Sequence, residues 1–388
     1  MLDLRPTLSL ALPAVKSLPD CADFSKTVQP FLPQLYDLPQ KIFDNINSLE
    51  ALQHVYLSTN PLVTALAFSL FITPVVFIVA EINKNYSQVD RLWSILPVIY
   101  NSHYALWAHL AGLPSQRLDH VMAVTILWGA RLTFNYWRKG GYTVGSEDYR
   151  WNIVKDYAGP VAMFIFNIVF ISLAQNVSIH APVPECDMRL KILLFAITTP
   201  TYVLLLSSLI TGNELTFYDS IFSKLIFVLV LIEFFADQQQ WNFHGAKDAY
   251  KKTAKVPKEF GYTREQLDRG FNTSGLWAWS RHPNFAGEQG VWLALYQWAC
   301  SVSETYVNWC FGAALSYLIL FQASTWLTEL LSAKKYPDYK IYQKRVGKFL
   351  PKVASQSMDM PTADGKANSQ QKQEPAKAVK ATGTTKRR

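Results

Sequence analysis

The 388-residue chain is poor in charge: Asp, Glu, Lys and Arg together make up 17%, where a soluble globular domain usually carries about 25%. That shortage excludes a disordered chain and argues against an ordinary water-soluble enzyme. Cysteine is scarce as well. Cys21, Cys186, Cys300 and Cys310 lie far apart with no Cys-x-x-Cys pair, so spacing supports neither a disulfide framework nor a zinc site. Cys300 and Cys310 sit in apolar runs, where a thiol packs as a small hydrophobe. The seven histidines include no His-Glu-x-x-His pair, and no protein-bound metal is expected. Residues 352–388 hold eight Lys or Arg against three Asp or Glu, so this tail carries +5 of the formal net charge of +8. The basic character is local, and nucleic acid is not an implied partner.

What is there is apolar. Half of the residues (50%) are hydrophobic and 14% are aromatic. The mean hydropathy is only +0.05 because polar ends dilute a very apolar middle. Crossing the hydrocarbon core takes about 20 mostly apolar residues in a helix. The stretches 61–80, 92–110, 121–137, 158–178, 190–210, 221–237, 287–301 and 306–331 approach that length. Strands are no competitor, because an open sheet edge cannot be satisfied in lipid. The expected fold class is all-α: a polytopic transmembrane helical bundle of about 7–8 spans, with the membrane bilayer as its partner.

Three sections follow. Residues 1–60 mix Pro, Asp and Leu without sustained periodicity. The early apolar run 8–15 is broken by Pro13 and preceded by Asp3, unlike a signal peptide, so this section reads as an uncleaved polar leader, a surface loop with one short helix. Residues 61–351 form the membrane domain. Residues 352–388, rich in Lys, Gln, Ala, Ser and Thr, read as a disordered basic tail, solvated or touching anionic headgroups. Its Lys386-Arg387-Arg388 end weakly resembles a retrieval signal.

Basic residues mark cytosolic loops. The connection 243–286 carries Lys247, Lys251, Lys252, Lys255, Lys258, Arg264, Arg269 and Arg281, and lies two crossings from the basic tail. Arg138, Lys139, Arg150 and Lys155 point to another cytosolic loop at 138–157. Three expected crossings would separate it from 243–286, and an odd number cannot join loops on one side. Either one segment between 158 and 237 does not cross, or the 138–157 loop faces the lumen.

Four stretches carry candidate chemistry. In 275–292, Ser280, Arg281, His282, Asn284 and Glu288 stand where a helix begins behind Pro283, an arrangement of N–H groups and Arg suited to an anion. The aromatic belt of Trp277, Trp279 and Trp292 fits a plain interfacial loop, but that does not explain a Glu entering the bilayer. In 233–243, Glu233 and Asp237 share one face of an apolar helix. Asp237 also fits a helix end emerging into water, whereas Glu233 is one turn deeper, where ionisable groups point to function. In 128–151, Arg131, Asn135 and Arg138 make a stripe suited to phosphate, with snorkelling as the structural alternative for Arg138. Asp90-Arg91 reads equally as an internal ion pair or a site. Finally, 336–351 reads as an amphipathic cytosolic helix with Tyr339, Tyr342 and Arg345, either covering a nucleotide or simply lying at the interface.

Taken together, these residues resemble the steroid 5α-reductase superfamily of membrane enzymes, and within it the steroid-reductase-like proteins termed DUF1295, over roughly residues 85–351. The superfamily's Asn-aromatic-x-Gly-Glu block matches Asn284, Phe285, Gly287 and Glu288. Its acidic residue at the end of an earlier helix matches Asp237, with Glu233 standing where it has Asn. Tyr342 matches a Tyr nine residues before a terminal Pro, and Arg131 an Arg on the third helix. Trp128 replaces a substrate-facing Tyr.

The resemblance implies NADPH as cofactor, surrounded by Arg131, Asn135, Glu233, Asp237, Arg281, His282, Asn284, Glu288, Tyr339, Tyr342 and Arg345. Arg131, Arg281 and Arg345 would hold phosphates, and Asp237 and Asn284 ribose or amide groups. The implied reaction is hydride delivery to an electron-poor C=C bond of a sterol or other lipid enone in the endoplasmic reticulum membrane. Asp90, if burial keeps it protonated, and Tyr136 are the candidate proton donors. Isoprenylcysteine carboxyl methyltransferases share an Arg-His-Pro-aromatic-x-Gly block and a Glu…Tyr-x-x-Tyr ending, so S-adenosylmethionine is the rival cofactor. A membrane protein with a vestigial pocket is the non-enzymatic alternative. Asp237 and the Asn-Phe-Ala-Gly-Glu form favour reduction.

Overall fold

A computed structural model describes residues 5–148, 151, 155, 159, 193–352 and 358. Every regular element among them is helical. In chain order the α-helices are α1 (Arg5–Ala11), α2 (Phe24–Thr27), α3 (Gln34–Asn45), α4 (Leu49–Ser58), α5 (Pro61–Asn83), α6 (Gln88–Leu92), α7 (Leu96–Leu110), α8 (Gln116–Arg138), α9 (Leu193–Ala196), α10 (Thr199–Thr211), α11 (Phe217–Thr253), α12 (Arg264–Arg269), α13 (Pro283–Val302), α14 (Phe311–Lys335) and α15 (Tyr339–Arg345). By length and apolar composition, Pro61–Asn83, Leu193–Thr211 and Phe311–Lys335 are long enough to cross a membrane. The expected span 158–178, apart from Gly159, lies outside the described residues, as do Cys186, Arg150 and all of the tail beyond Lys352 except Met358.

Local chemistry sets the helix ends. Asn60 caps α5 by accepting from the N–H groups of Leu62 and Val63, with Pro61 at the first helical position, where its missing N–H costs nothing. Thr216 and Asp219 form a reciprocal capping box at the head of α11. That 37-residue helix runs well past the apolar stretch 221–237, because 238–253 contains no Pro, one Gly (Gly245) and no β-branched run to stop it.

Polar pairs fix how the helices align. Arg117, in the first turn of α8, donates to Asp219 at the start of α11 (2.7 and 3.0 Å) and to Ser208 and Thr211 at the end of α10 (3.0 and 3.2 Å). Trp298, late in α13, donates to the same Asp219 (2.7 Å). Fourteen residues further along α8, about 21 Å at the helical rise, Arg131 meets Asp237 (2.9 Å) and then Arg138 meets Gln238 (2.8 Å). Helices α8 and α11 are therefore parallel, with α10 and α13 running back between them. The start of the 138–157 loop and the residues following Asp237 share one end of the bundle, which excludes placing them on opposite sides.

The first 60 residues differ from the expected loop with a single short helix. Four short helices and 3₁₀ turns fold over the opposite end of the bundle. Pro13, Pro19, Pro30 and Pro33 cut the chain into pieces too short to display a period, which hides them in the sequence. Ala11, Cys21, Val28 and Leu57 join the same core as α7, α8 and α13. Asn60 donates to the Ala11 carbonyl (2.9 Å) and to the Tyr202 hydroxyl (2.8 Å), which donates in turn to the Thr27 carbonyl (2.8 Å). Tyr56 and His103 share a hydrogen bond of 2.7 Å.

Candidate active site

Near the end where α8 finishes, beside Asp237 in the second half of α11, a hollow of about 710 Å³ opens between α6, α8, the start of α13 and the middle of α14. One wall is polar: Arg131, Asn135, Asp237, Asn284 and Glu288. The lining also carries apolar and aromatic side chains: Trp93, Leu132, Phe285, Leu320 and Phe321. Asp90, Ser94, Tyr136, Lys139, Gly140, Gly141, Ser146, Glu147, Asp148 and Ser324 complete the lining.

The polar wall is one network. Asp237 receives Arg131 (2.9 Å) and Asn135 (2.6 Å) on Oδ2, and Asn284 (3.0 Å) on Oδ1. Glu288 receives Arg131 and Trp128 on Oε2, each at 3.0 Å, and Tyr317 (2.6 Å) and Trp292 (3.3 Å) on Oε1. Asn284 turns its own oxygen to the Phe285 N–H (3.0 Å). Behind the wall, Glu233 is fully buried and lies 2.9 Å from Arg131. Its oxygens make no aligned hydrogen bond, and Arg131 Nε also has none. Three carboxylates thus surround one guanidinium. Holding buried charge is costly unless paired, and removing one partner of such a pair typically costs about 3–5 kcal/mol.

Small residues make this closeness possible. A Cβ on Gly287 would collide with the Glu233 side chain, and one on Gly290 would press on Leu229. The glycine of the Asn-Phe-Ala-Gly-Glu block is therefore a helix-contact residue that lets α13 lie directly on α11. Trp128 is fully buried and donates to Glu288. It does not line the hollow, so it does not take the substrate-facing place expected of it.

Seven of the expected site residues line the hollow: Asp90, Arg131, Asn135, Tyr136, Asp237, Asn284 and Glu288. Asp90 accepts from the Trp151 indole (2.9 Å), and the Tyr136 ring stands edge-on to Tyr142 at 5.0 Å. Arg281, His282, Tyr339, Tyr342 and Arg345 do not line it. They build a separate joint. Arg281 donates to both oxygens of Glu329 (2.6 and 3.2 Å) and to the carbonyls of Gln343 and Val346. His282 meets Glu329 at 3.0 Å, and Gln343 completes that carboxylate at 3.0 Å.

The Tyr342 hydroxyl donates to the Trp277 carbonyl, while Arg345 bonds the Met358 carbonyl at 3.3 Å. Burial pushes the Tyr339 and Tyr342 phenols upward, so both stay neutral donors. Arg281 and Arg345, expected to hold phosphate, do not line the hollow, and Arg281 donates its hydrogen bonds to Glu329, Gln343 and Val346 of the chain itself. Two features escaped sequence reading. Tyr317, which bonds Glu288, and the lining residues Leu320 and Phe321 come from an apolar run whose composition looks like any lipid-facing helix. A tyrosine amid such a run was the available signal, since a buried hydroxyl needs a partner.

An all-helical bundle with membrane-length helices and a buried Arg–carboxylate network beside a hollow of mixed polar and apolar lining defines a class of polytopic membrane protein. The chain belongs to the family described as protein of unknown function DUF1295, whose model matches residues 76–186 and 187–346, a family within the steroid 5α-reductase-like group. An uncharacterised protein of Schizosaccharomyces pombe is 37% identical over 356 residues, covering 91% of this chain and 97% of the relative. No solved structure matches.

Proposed function

We propose that the chain is an integral membrane oxidoreductase of the endoplasmic reticulum that uses NADPH to reduce a C=C bond of a sterol or other lipid enone. The observation that carries this reading is the hollow's mixed lining, in which amide and carboxylate groups share one space with aromatic and apolar side chains. Such a space suits a polar cofactor head beside a membrane-dissolved substrate. In this reading α5, α7, α8, α9 with α10, α11, α13 and α14 cross the bilayer, about seven passages, and the hollow opens toward the cytosol beside the basic 243–286 connection.

The nicotinamide end fits the polar wall. Asn135, Asp237 and Asn284 supply the donors and acceptors that a carboxamide and a ribose need, and the unpartnered Arg131 Nε leaves one donor to be satisfied. When bound, the dinucleotide supplies a hydride. Tyr136 would hold an O–H toward the substrate carbonyl, while Asp90, already accepting from Trp151, is better suited to orienting than to donating. The apolar side chains would exclude water and seat the lipid. The phosphates find less: among the described residues Lys139 is the lining cation besides Arg131, so they belong at the rim.

One observation favours a second reading. Among the described residues the lining carries Asp90, Glu147, Asp148, Asp237 and Glu288 against Arg131 and Lys139, although Glu147 is paired with Lys155 at 2.6 Å. A cationic cofactor, S-adenosylmethionine in a methyltransferase, would gain from that balance. Titrating purified, detergent-solubilised protein with each cofactor separates the readings. Micromolar NADPH binding supports reduction, S-adenosylmethionine binding alone supports methyl transfer, and binding of neither removes both.

A further inference from the structure

Helix α3 has three distinct faces. Leu38 is buried and Leu35 packs against the core, which fixes the helix to α4 and α5. Asp37, Gln40, Lys41 and Asp44 form a polar edge. Tyr36, Pro39, Ile42, Phe43 and the flanking Ile46 fall at i, i+3, i+6, i+7 and i+10, a single stripe at the helical repeat. That stripe is uncovered: Tyr36 is 68% exposed, Phe43 72% and Ile46 59%, with Leu49 at the head of α4 84% exposed. A contiguous apolar patch of this kind marks an interaction site.

We propose that this stripe docks the N-terminal cap onto lipid, with α3 lying in the acyl–headgroup boundary of the leaflet at the end of the bundle away from the hollow. The cap sits at that end, because Trp107, late in α7, donates to the Tyr56 carbonyl (3.1 Å) and Phe24 packs on Trp309 in the turn between α13 and α14. Continuity argues for lipid as the occupant. Helix α3 packs on α5, one of the membrane-length helices, whose own outer residues Phe71, Ile78 and Ile82 are exposed. The stripe therefore extends a surface already committed to hydrocarbon. Its polar edge carries Asp37 and Asp44 against Lys41, so attachment rests on apolar area rather than on anionic headgroups. The family match begins at residue 76, which makes this anchor a property of the segment preceding it.

The test uses the full chain in phosphatidylcholine nanodiscs, spin-labelled at Phe43→Cys, Ile46→Cys or Asp44→Cys in a Cys186→Ser background. Cys21, Cys300 and Cys310 are buried, and the unsubstituted background chain reports residual labelling. Labels at 43 and 46 should collide several-fold more with oxygen than with a water-soluble nickel chelate, with the reverse at 44. Equal nickel access at all three positions would show a solvated helix. Dipolar broadening between labels at 43 would show a second copy covering the stripe. Either result overturns the proposal.

Discussion

Arg281 and Glu329 grip each other through two hydrogen bonds, Nε to Oε1 at 2.6 Å and Nη2 to Oε2 at 3.2 Å, both side chains buried. The pairing turns a motif that reads as an anion cradle into a structural joint. It holds the head of α13 to the end of α14. The neighbouring backbone bonds from Arg281 N to Gly347 O (2.9 Å) and from His282 N to Lys348 O (3.1 Å) then tie down the segment that follows α15. The His282 ring in turn stacks on Phe285 at 5.6 Å, and Phe285 lines the hollow.

Replacing Arg281 by Ala should therefore act on folding. It leaves the Glu329 carboxylate buried without its main partner, a loss of about 3–5 kcal/mol for a pair of this kind. The expected result is a large drop in the melting temperature of the detergent-solubilised protein. NADPH affinity per folded molecule should be retained, because the side chain does not reach the hollow.

Asp237→Asn should do the opposite. The side-chain volume is kept, but the charge facing Arg131 is lost and one of three accepted hydrogen bonds must invert. Cofactor affinity is expected to fall about tenfold or more, equivalent to 1.4 kcal/mol, with a far smaller change in melting temperature than for Arg281→Ala. Fluorescence titration with NADPH measures the first effect and differential scanning fluorimetry the second.

Tyr136→Phe tests the proton donor. Removing one hydroxyl at the rim should lower kcat by about 10²-fold, the usual worth of a positioned general acid, while cofactor affinity stays unchanged. If Asp90 were the donor instead, Asp90→Asn would carry the larger loss in kcat. Single-turnover assays with an enone lipid distinguish the two.

Gly287→Val should separate α11 from α13. The added branches have nowhere to go but into the Glu233 stem, and overpacking of this kind costs about 1–3 kcal/mol. A companion Glu233→Ala change removes the obstructing atoms and should restore part of the lost stability, measurable by thermal unfolding of the single and double variants.

The sequons at Asn85 and Asn272 should remain without glycans. Both side chains are buried; Asn272 accepts from Ser274 N and Oγ (3.1 and 2.9 Å), and Asn85 donates to the Ser146 carbonyl (2.8 Å). Glycosidase treatment should leave the mobility of an Asn176→Gln protein unchanged. The sequon at Asn176 lies outside the described residues.

The helical class was legible because lipid leaves the backbone few choices, and runs such as 61–80 announce themselves by length alone. The meeting of Arg131, Asp237, Asn284 and Glu288 was legible for a related reason: charged and amide groups on otherwise apolar helices must find one another. What sequence did not show was which charges answer which. Arg131 and Arg281 look alike on paper, yet one lines the hollow while the other closes on Glu329, and only the crossing of α13 with α14 decides that. The N-terminal cap was hidden by proline-cut helices whose burial depends on Tyr202 and His103, far away in sequence.

A structure of the full chain in nanodiscs with NADPH added tests the central claim most directly. The account predicts the nicotinamide amide within hydrogen-bonding distance of Asp237 and Asn284, with the lipid-facing side of the ring toward Phe285 and Phe321. Density for the dinucleotide elsewhere on the bundle, or a hollow that stays vacant under saturating NADPH yet fills with S-adenosylmethionine, would contradict it.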